Sequence, residues 1–284
     1  MTTLEVTSLT SSPLPIKRLP LSLILSVVAI VFFLVALIWP AALATHDPSA
    51  LNLADALHAP SFGYWFGTDE AGRDLYSRVI FGARESLFIG LGATVVSLSL
   101  ALILGSLAAL SGRFVSGTVN RVVEVLFAFP TLLLALLLVA LMGPSALTLV
   151  LAVGVGTAPG YARIIRGQIL TAKGSGYVEA AVALGHSRSK ILRQHIFPNA
   201  VRPLVAIMTL SVGQSIVWAS SLSFLGLGVA PPSSEWGALL DAGRLYLTQA
   251  WWLTVIPGLV IVIVALAATT VGKHIQAALE KGEK

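Results

Sequence analysis

Six stretches of this 284-residue chain carry no Asp, Glu, Lys or Arg: Leu21–Trp39, Ser86–Leu110, Val125–Met142, Ser145–Ala162, Pro203–Val229 and Leu245–Val271. A helix needs about 20 apolar residues to cross a bilayer, and each run approaches or exceeds that length. Few folds remain open to such runs. In hydrocarbon every backbone donor and acceptor must be satisfied within the protein, which an α-helix does and a lipid-exposed loop does not. The chain is 56% hydrophobic and 11% charged, whereas a soluble domain has roughly 25% charged residues. It has too little polar surface to cover itself, so lipid must do so. The expectation is an all-α integral membrane protein of six transmembrane helices, residues 21–271. A Ser/Thr-rich tail with the composition of a disordered segment (1–20) precedes it, and a short tail (272–284) follows. Only Gly143-Pro144 separates the third and fourth spans. Ala42-Leu43-Ala44 after Lys17-Arg18 looks like a signal-peptide cleavage site, but the first run exceeds the about 7–15 apolar residues of such a peptide and reads as an uncleaved span.

Charge sets the direction. With the N-terminus in the cytoplasm, 14 basic residues fall on inner segments: Lys17, Arg18, Arg113, Arg121, Arg163, Arg166, Lys173, Arg188, Lys190, Arg193, Arg202, Lys273, Lys281 and Lys284. Only 4 fall outside: Arg73, Arg78, Arg84 and Arg244. Lys and Arg prefer short cytoplasmic loops, so both termini and the 163–202 loop are expected inside and the 40–85 segment outside. The net charge of +5 is then a topology signal and not a nucleic-acid surface. Trp39, Tyr246, Trp251 and Trp252 lie near span ends, where amphipathic rings favour the headgroup level.

Several absences exclude function classes. There is no cysteine, hence no disulfide, thiolate metal site or cysteine nucleophile. The histidines His46, His58, His186, His195 and His274 show no ligand spacing. No Gly-x-x-x-x-Gly-Lys-Ser/Thr phosphate loop occurs. No ionisable residue sits mid-span, where proton- or sodium-coupled carriers often place one. Energy for any transport must therefore come from another chain.

The loop Gly176–Ala200 is the longest polar interruption on the inner side. Tyr177–Leu184 contains good helix formers of small bulk. Gly185 suits the left-handed residue that ends a helix, and Ser187 can cap a second short helix, Arg188–Ile196. Pro198 is expected to stop that helix and Asn199 to cap the fifth span. Ala180, Ala181 and Ala183 would offer a surface for close approach, with Glu179 as an acceptor. The sequence Glu179-Ala180-Ala181, then Gly185, then Ile196-Phe197-Pro198-Asn199 resembles the EAA loop of ABC-importer permeases. Phe66–Asp74, Ser77-Arg78 and Gly82–Leu87 resemble the signature before the second span in the dipeptide/oligopeptide/nickel family, specifically its second, C-type permease. Pro159–Arg163 with Arg166-Gly167-Gln168, Ser223–Gly228, Pro231-Pro232 and Trp236-Gly237 also fit; Phe197, where that family usually has Leu, departs mildly.

The resemblance implies a type I ABC-importer permease bundle with a cytoplasmic EAA coupling loop, in a bacterial inner membrane. It implies half of a translocation pathway for short peptides, completed by a second homologous permease. Two cytoplasmic ATPases would supply ATP and Mg, and an extracytoplasmic binding protein would deliver substrate. This chain would bind no cofactor and catalyse no covalent chemistry. Nickel or another small solute is the alternative cargo. A secondary transporter is the competing class, but no inverted repeat is evident.

Other readings are local. Asp69, Glu70 and Asp74 offer hard oxygen ligands, but the order is not that of a calcium loop, and Arg73 lies among them. A turn leading into an interfacial helix, with Arg73 and Arg78 paired to acids or headgroups, is expected. Ser97, Ala101, Gly105 and Ala109 form a small-residue stripe that permits close helix approach, within the subunit or between subunits. Ser211, Gln214 and Ser215 share one face of the fifth span and are candidates for packing or for lining the pathway. Pro130, Pro159 and Pro257 each remove a backbone donor and should kink their spans.

Overall fold

The computed structural model describes residues 20–281; the side chains of residues 202, 203, 205, 206, 280 and 281 lie outside that description. The expected tail therefore lies outside the described residues except for Pro20. Ten α-helices occur among them: α1 Leu21–Ile38, α2 Leu75–Leu110, α3 Arg113–Ala128, α4 Thr131–Met142, α5 Ala146–Lys173, α6 Gly176–Ala183, α7 Arg188–Ile191, α8 Phe197–Leu222, α9 Trp236–Gly243 and α10 Trp252–Lys281. Five are long and apolar enough to cross a membrane, and α3 with α4 forms a sixth, broken segment bent by 92°. The all-α membrane bundle read from the six runs is therefore the fold. Its centre is α2 against α5, with α8 and α10 beside them and α1 on α10 and α2.

The small-residue stripe of α2 explains that centre. A Cβ at Gly105 would lie 2.8 Å from the Ala162 carbonyl and 2.9 Å from Ile165. Thr157 Oγ1 donates to Ser97 Oγ at 2.8 Å. Apolar side chains gain little from leaving lipid for another helix, so close backbone approach and interhelical hydrogen bonds do the joining. The stripe packs inside this subunit.

Several boundaries differ from the sequence reading; the expected third span, Val125–Met142, is broken at Phe129-Pro130 between α3 and α4. The expected interfacial helix and second span are one helix of 36 residues, capped by Asp74, whose carboxylate accepts the Ser77 N–H at 2.9 Å. At the other end of the chain α10 runs through most of the expected 272–284 tail. The three prolines also part company. Pro130 sits at the 92° break, with Phe129 extended at φ −79°, ψ 135°, as the residue before proline prefers. Pro159 and Pro257 lie inside uninterrupted helices. Pro159 is buried within the bundle, and neighbouring helices hold α5 together despite a missing donor.

The 40–85 segment is tied to the bundle by buried polar groups. Asp69 accepts N–H bonds from Ala71 and Arg73 at 2.9 Å and ion pairs with Arg73 and Arg78. Arg78, buried at the start of α2, also donates to the Ser233 carbonyl at 2.9 Å. Glu235 caps α9 through Gly237 and Ala238, and Trp236 Nε1 donates to the Val79 carbonyl at 2.9 Å. Trp252, expected at the headgroups, is instead buried, its Nε1 bonded to the Thr68 carbonyl at 3.2 Å. Gly67 and Gly72 turn this loop at φ 76° and 72°, and a Cβ on Gly72 would meet the Asn52 backbone.

Candidate functional site

The loop between α5 and α8 is built as a hairpin of helices. α6 ends in a paired-bond turn: Gly185 N–H donates to the Val182 carbonyl at 2.9 Å and His186 N–H to the Ala181 carbonyl at 3.1 Å. Gly185 takes φ +74°, the left-handed value this cap requires and that only glycine adopts freely. Ser187 then caps α7, accepting the Lys190 N–H. Across the turn, the His186 and His195 rings stack at 6.0 Å, and Tyr177 lies 6.4 Å from His195.

The second arm differs from the sequence reading. α7 does not stop at Pro198. It continues through a wide turn at 192–196, where Phe197 N–H reaches back to the Leu192 carbonyl, directly into α8. Pro198 stands in the first turn of α8, directly after the wide turn. Asn199 is not a cap there; its Nδ2 donates to the His195 carbonyl at 2.7 Å. The second arm and the fifth span are thus one rod.

The structure sorts the loop residues by face. Val178 and Ala181 turn inward onto Ile165, Ile169 and Ala172 of α5 and Ile191 and Ile196 of the second arm. Ala181 is therefore packing, not the approach surface expected of it. Glu179, Ala180, Ala183, Gly185 and Pro198 are exposed, and Asn199 is half-buried. Beside Glu179 and Ala180 stand Val182 and Leu184, 61% and 76% exposed. Sequence reasoning missed both. Helical spacing gave no signal for Val182, which lies one turn beyond the inward-facing Val178 and would be expected on the same face.

A groove of about 670 Å³ lies beside the α3–α4 break. Phe127, Phe129 and Thr131 form one wall, and Tyr161, Arg163 and Trp218 contribute to the others. Of the three span-five candidates, only Gln214 reaches it, accepting the Tyr161 hydroxyl at 2.9 Å. Ser211 is buried and donates to the Met208 carbonyl; Ser215 is buried under Thr94, whose hydroxyl donates to it at 3.2 Å. No cluster of three or more His, Cys, Asp or Glu side chains suited to a metal occurs among the described residues.

A bundle with a broken span, a groove at the break and an exposed helical hairpin continuous with one span defines a transport permease. The chain belongs to the family described as binding-protein-dependent transport system inner membrane component, whose profile matches residues 101–284. It is 37% identical over 265 residues to the probable D,D-dipeptide transport system permease protein DdpC of Escherichia coli K12, covering 93% of this chain and 89% of the relative. It is 38% identical to the di/tripeptide transport system permease protein DppC of Pseudomonas aeruginosa, over 84% and 80% of the two chains. The fold matches a chain of the inward-facing MetNI methionine ABC transporter with a TM-score of 0.59 at 19% identity, over 71% of this chain and 96% of that one. The protein is thus a multi-pass inner-membrane transport subunit, of a family that works with substrate-binding and ATP-hydrolysing partners.

Proposed function

We propose that this chain forms half of the pathway of an importer for short peptides, with a second homologous permease as the other half. Two cytoplasmic ATPases grip one such loop each, hold ATP and Mg, and leave this chain without a cofactor or catalytic role. An extracytoplasmic binding protein delivers cargo to the outer face, and both termini lie inside. One observation carries the coupling role: the loop presents Val182 and Leu184 bare beside Glu179 and Ala180, and its second arm runs unbroken into α8. Apolar side chains exposed on a rigid turn mark a partner surface, and a continuous rod carries the partner's rigid-body motion into the span that lines the groove. The peptide cargo is supported by the names of the relatives and by Gln214, Tyr161 and Thr131, neutral hydrogen-bonding groups that suit a peptide backbone without trapping it.

Uptake of labelled di- and tripeptides by cells with and without this gene, supplied with all partner subunits, tests the cargo. Peptide uptake independent of the gene, beside gene-dependent nickel or sugar uptake, would refute it. Sidedness is read with single cysteines, since the chain has none. Gly63→Cys, with open space around its Cβ, is expected to react with an impermeant reagent from outside, and Ser189→Cys only after permeabilisation.

A further inference from the structure

Arg163 is unusual among the groove residues. Among the described residues lining the groove it is the only charged one. No described carboxylate pairs with it; the ion pairs of the structure lie elsewhere. Its guanidinium lies over the Phe127 ring, 4.6 Å from the centroid, at the α3–α4 break. An arginine drawn to an aromatic face by its charge still has its forked N–H edge to offer. That edge matches a carboxylate in a two-bond geometry. The Arg163 side chain is exposed, so a carboxylate can reach it. The groove is open, so a carboxylate there is engaged and then released.

We infer that Arg163 is a specificity-determining residue of the translocation pathway, that it engages cargo carboxylates, and that Phe127 positions it. The inference rests on the peptide reading above. A peptide brings at least one carboxylate, its C-terminus, and an acidic side chain brings a second. A lysine side chain brings a repelled cation. Cargo charge therefore separates contact with Arg163 from a structural role, and from contact between Arg163 and lipid phosphate.

The experiment uses the complete transporter in proteoliposomes with its binding protein. Initial uptake of Gly-Leu, Gly-Glu and Gly-Lys is measured beside binding-protein-stimulated ATP hydrolysis, for the wild type, Arg163→Lys, Arg163→Gln, Arg163→Glu and Phe127→Leu. The preferences of the binding protein are common to all variants and cancel. The ratio of Gly-Glu to Gly-Lys uptake is expected to fall about tenfold from wild type to Arg163→Glu. Arg163→Gln should fall between them, and Arg163→Lys should retain most of the ratio. Phe127→Leu should lower the ratio about two- to fivefold. A wild type that carries peptides while the ratio stays constant across variants overturns the inference alone. Equal loss for all three cargoes does the same and points to packing or lipid contact. A wild type that carries none of the three ends the peptide reading and the inference together. If Arg163→Glu does not assemble, the Arg163→Gln to Arg163→Lys comparison decides.

Discussion

The two faces of this protein solve opposite problems. On the side proposed to face outward, Asp69, Arg78 and Ser233, with the half-buried Arg73, form a network in which charged groups are bonded within the chain, beside the buried cap Glu235. On the side proposed to face the cytoplasm, the α6–α7 turn leaves Glu179, Val182 and Leu184 outside, while Val178, Ala181 and Ile191 join the cluster on α5. Burying charge is costly unless every group is paired, so the outer cap is built to stay as it is. An exposed apolar turn is incomplete alone and gains its remaining contacts from another chain. The outer cap should therefore report on stability when mutated, and the inner turn on coupling.

Asp69→Ala breaks the comparison hardest. It strips Arg78 of its carboxylate while leaving the guanidinium buried, a change that costs about 3–5 kcal/mol. Thermal unfolding of the detergent-purified complex should show a large loss. An unchanged midpoint would mean that the outer cap is not held by this pair.

Gly185→Asp comes next and should spare stability. Nothing lies within 4 Å of the position where a Cβ would project, and left-handed strain for a residue with a side chain is about 1–2 kcal/mol, with Asp among the more tolerant. The carboxylate would be buried unpaired under the partner, which corresponds to about a hundredfold loss of ATP-driven uptake at normal membrane abundance. Normal uptake would show that this turn is not the coupling element.

Leu184→Ser sharpens the contrast at smaller scale. A residue 76% exposed contributes within about ±0.5 kcal/mol to folding, so its midpoint should not move. Co-purification of the ATPase should weaken about fivefold, from about 1 kcal/mol of lost apolar contact. A shifted midpoint with intact ATPase binding would reverse the roles assigned to the two faces.

The smallest effect is a pH slope. Burial holds the Glu235 carboxyl above its ordinary value of 4.5, although the Gly237 and Ala238 N–H bonds pull it back. Between 4.5 and the raised value the folded chain holds a proton that the unfolded chain lacks. Stability conferred by this group therefore falls as pH rises through that window. Midpoints of wild type and Glu235→Gln measured against pH should differ in slope there, the variant being flatter. Parallel curves would place Glu235 in water rather than in the cap.

Local chemistry in the amino-acid sequence determined much of this protein. Uncharged run length set the spans, the 14-to-4 basic split set the expected sidedness, and Gly185 followed by Ser187 set a turn that the backbone adopts with φ +74°. These depend on a residue and its near neighbours, so they are readable one segment at a time. Only tertiary structure decided which prolines break a helix: Pro159 is buried inside an unbroken α5, whereas Pro130 is exposed at the α3–α4 break. It also decided that Ala181 and Ser215 face inward, that Trp252 leaves the membrane edge for the Thr68 carbonyl, and that Phe127 and Arg163, from different helices, meet at one groove. The physical reason is that lipid is as apolar as a protein core. In a helix that is hydrophobic all round, hydropathy marks where the segment lies but not which face meets a neighbour, so that choice waits for close packing of whole helices.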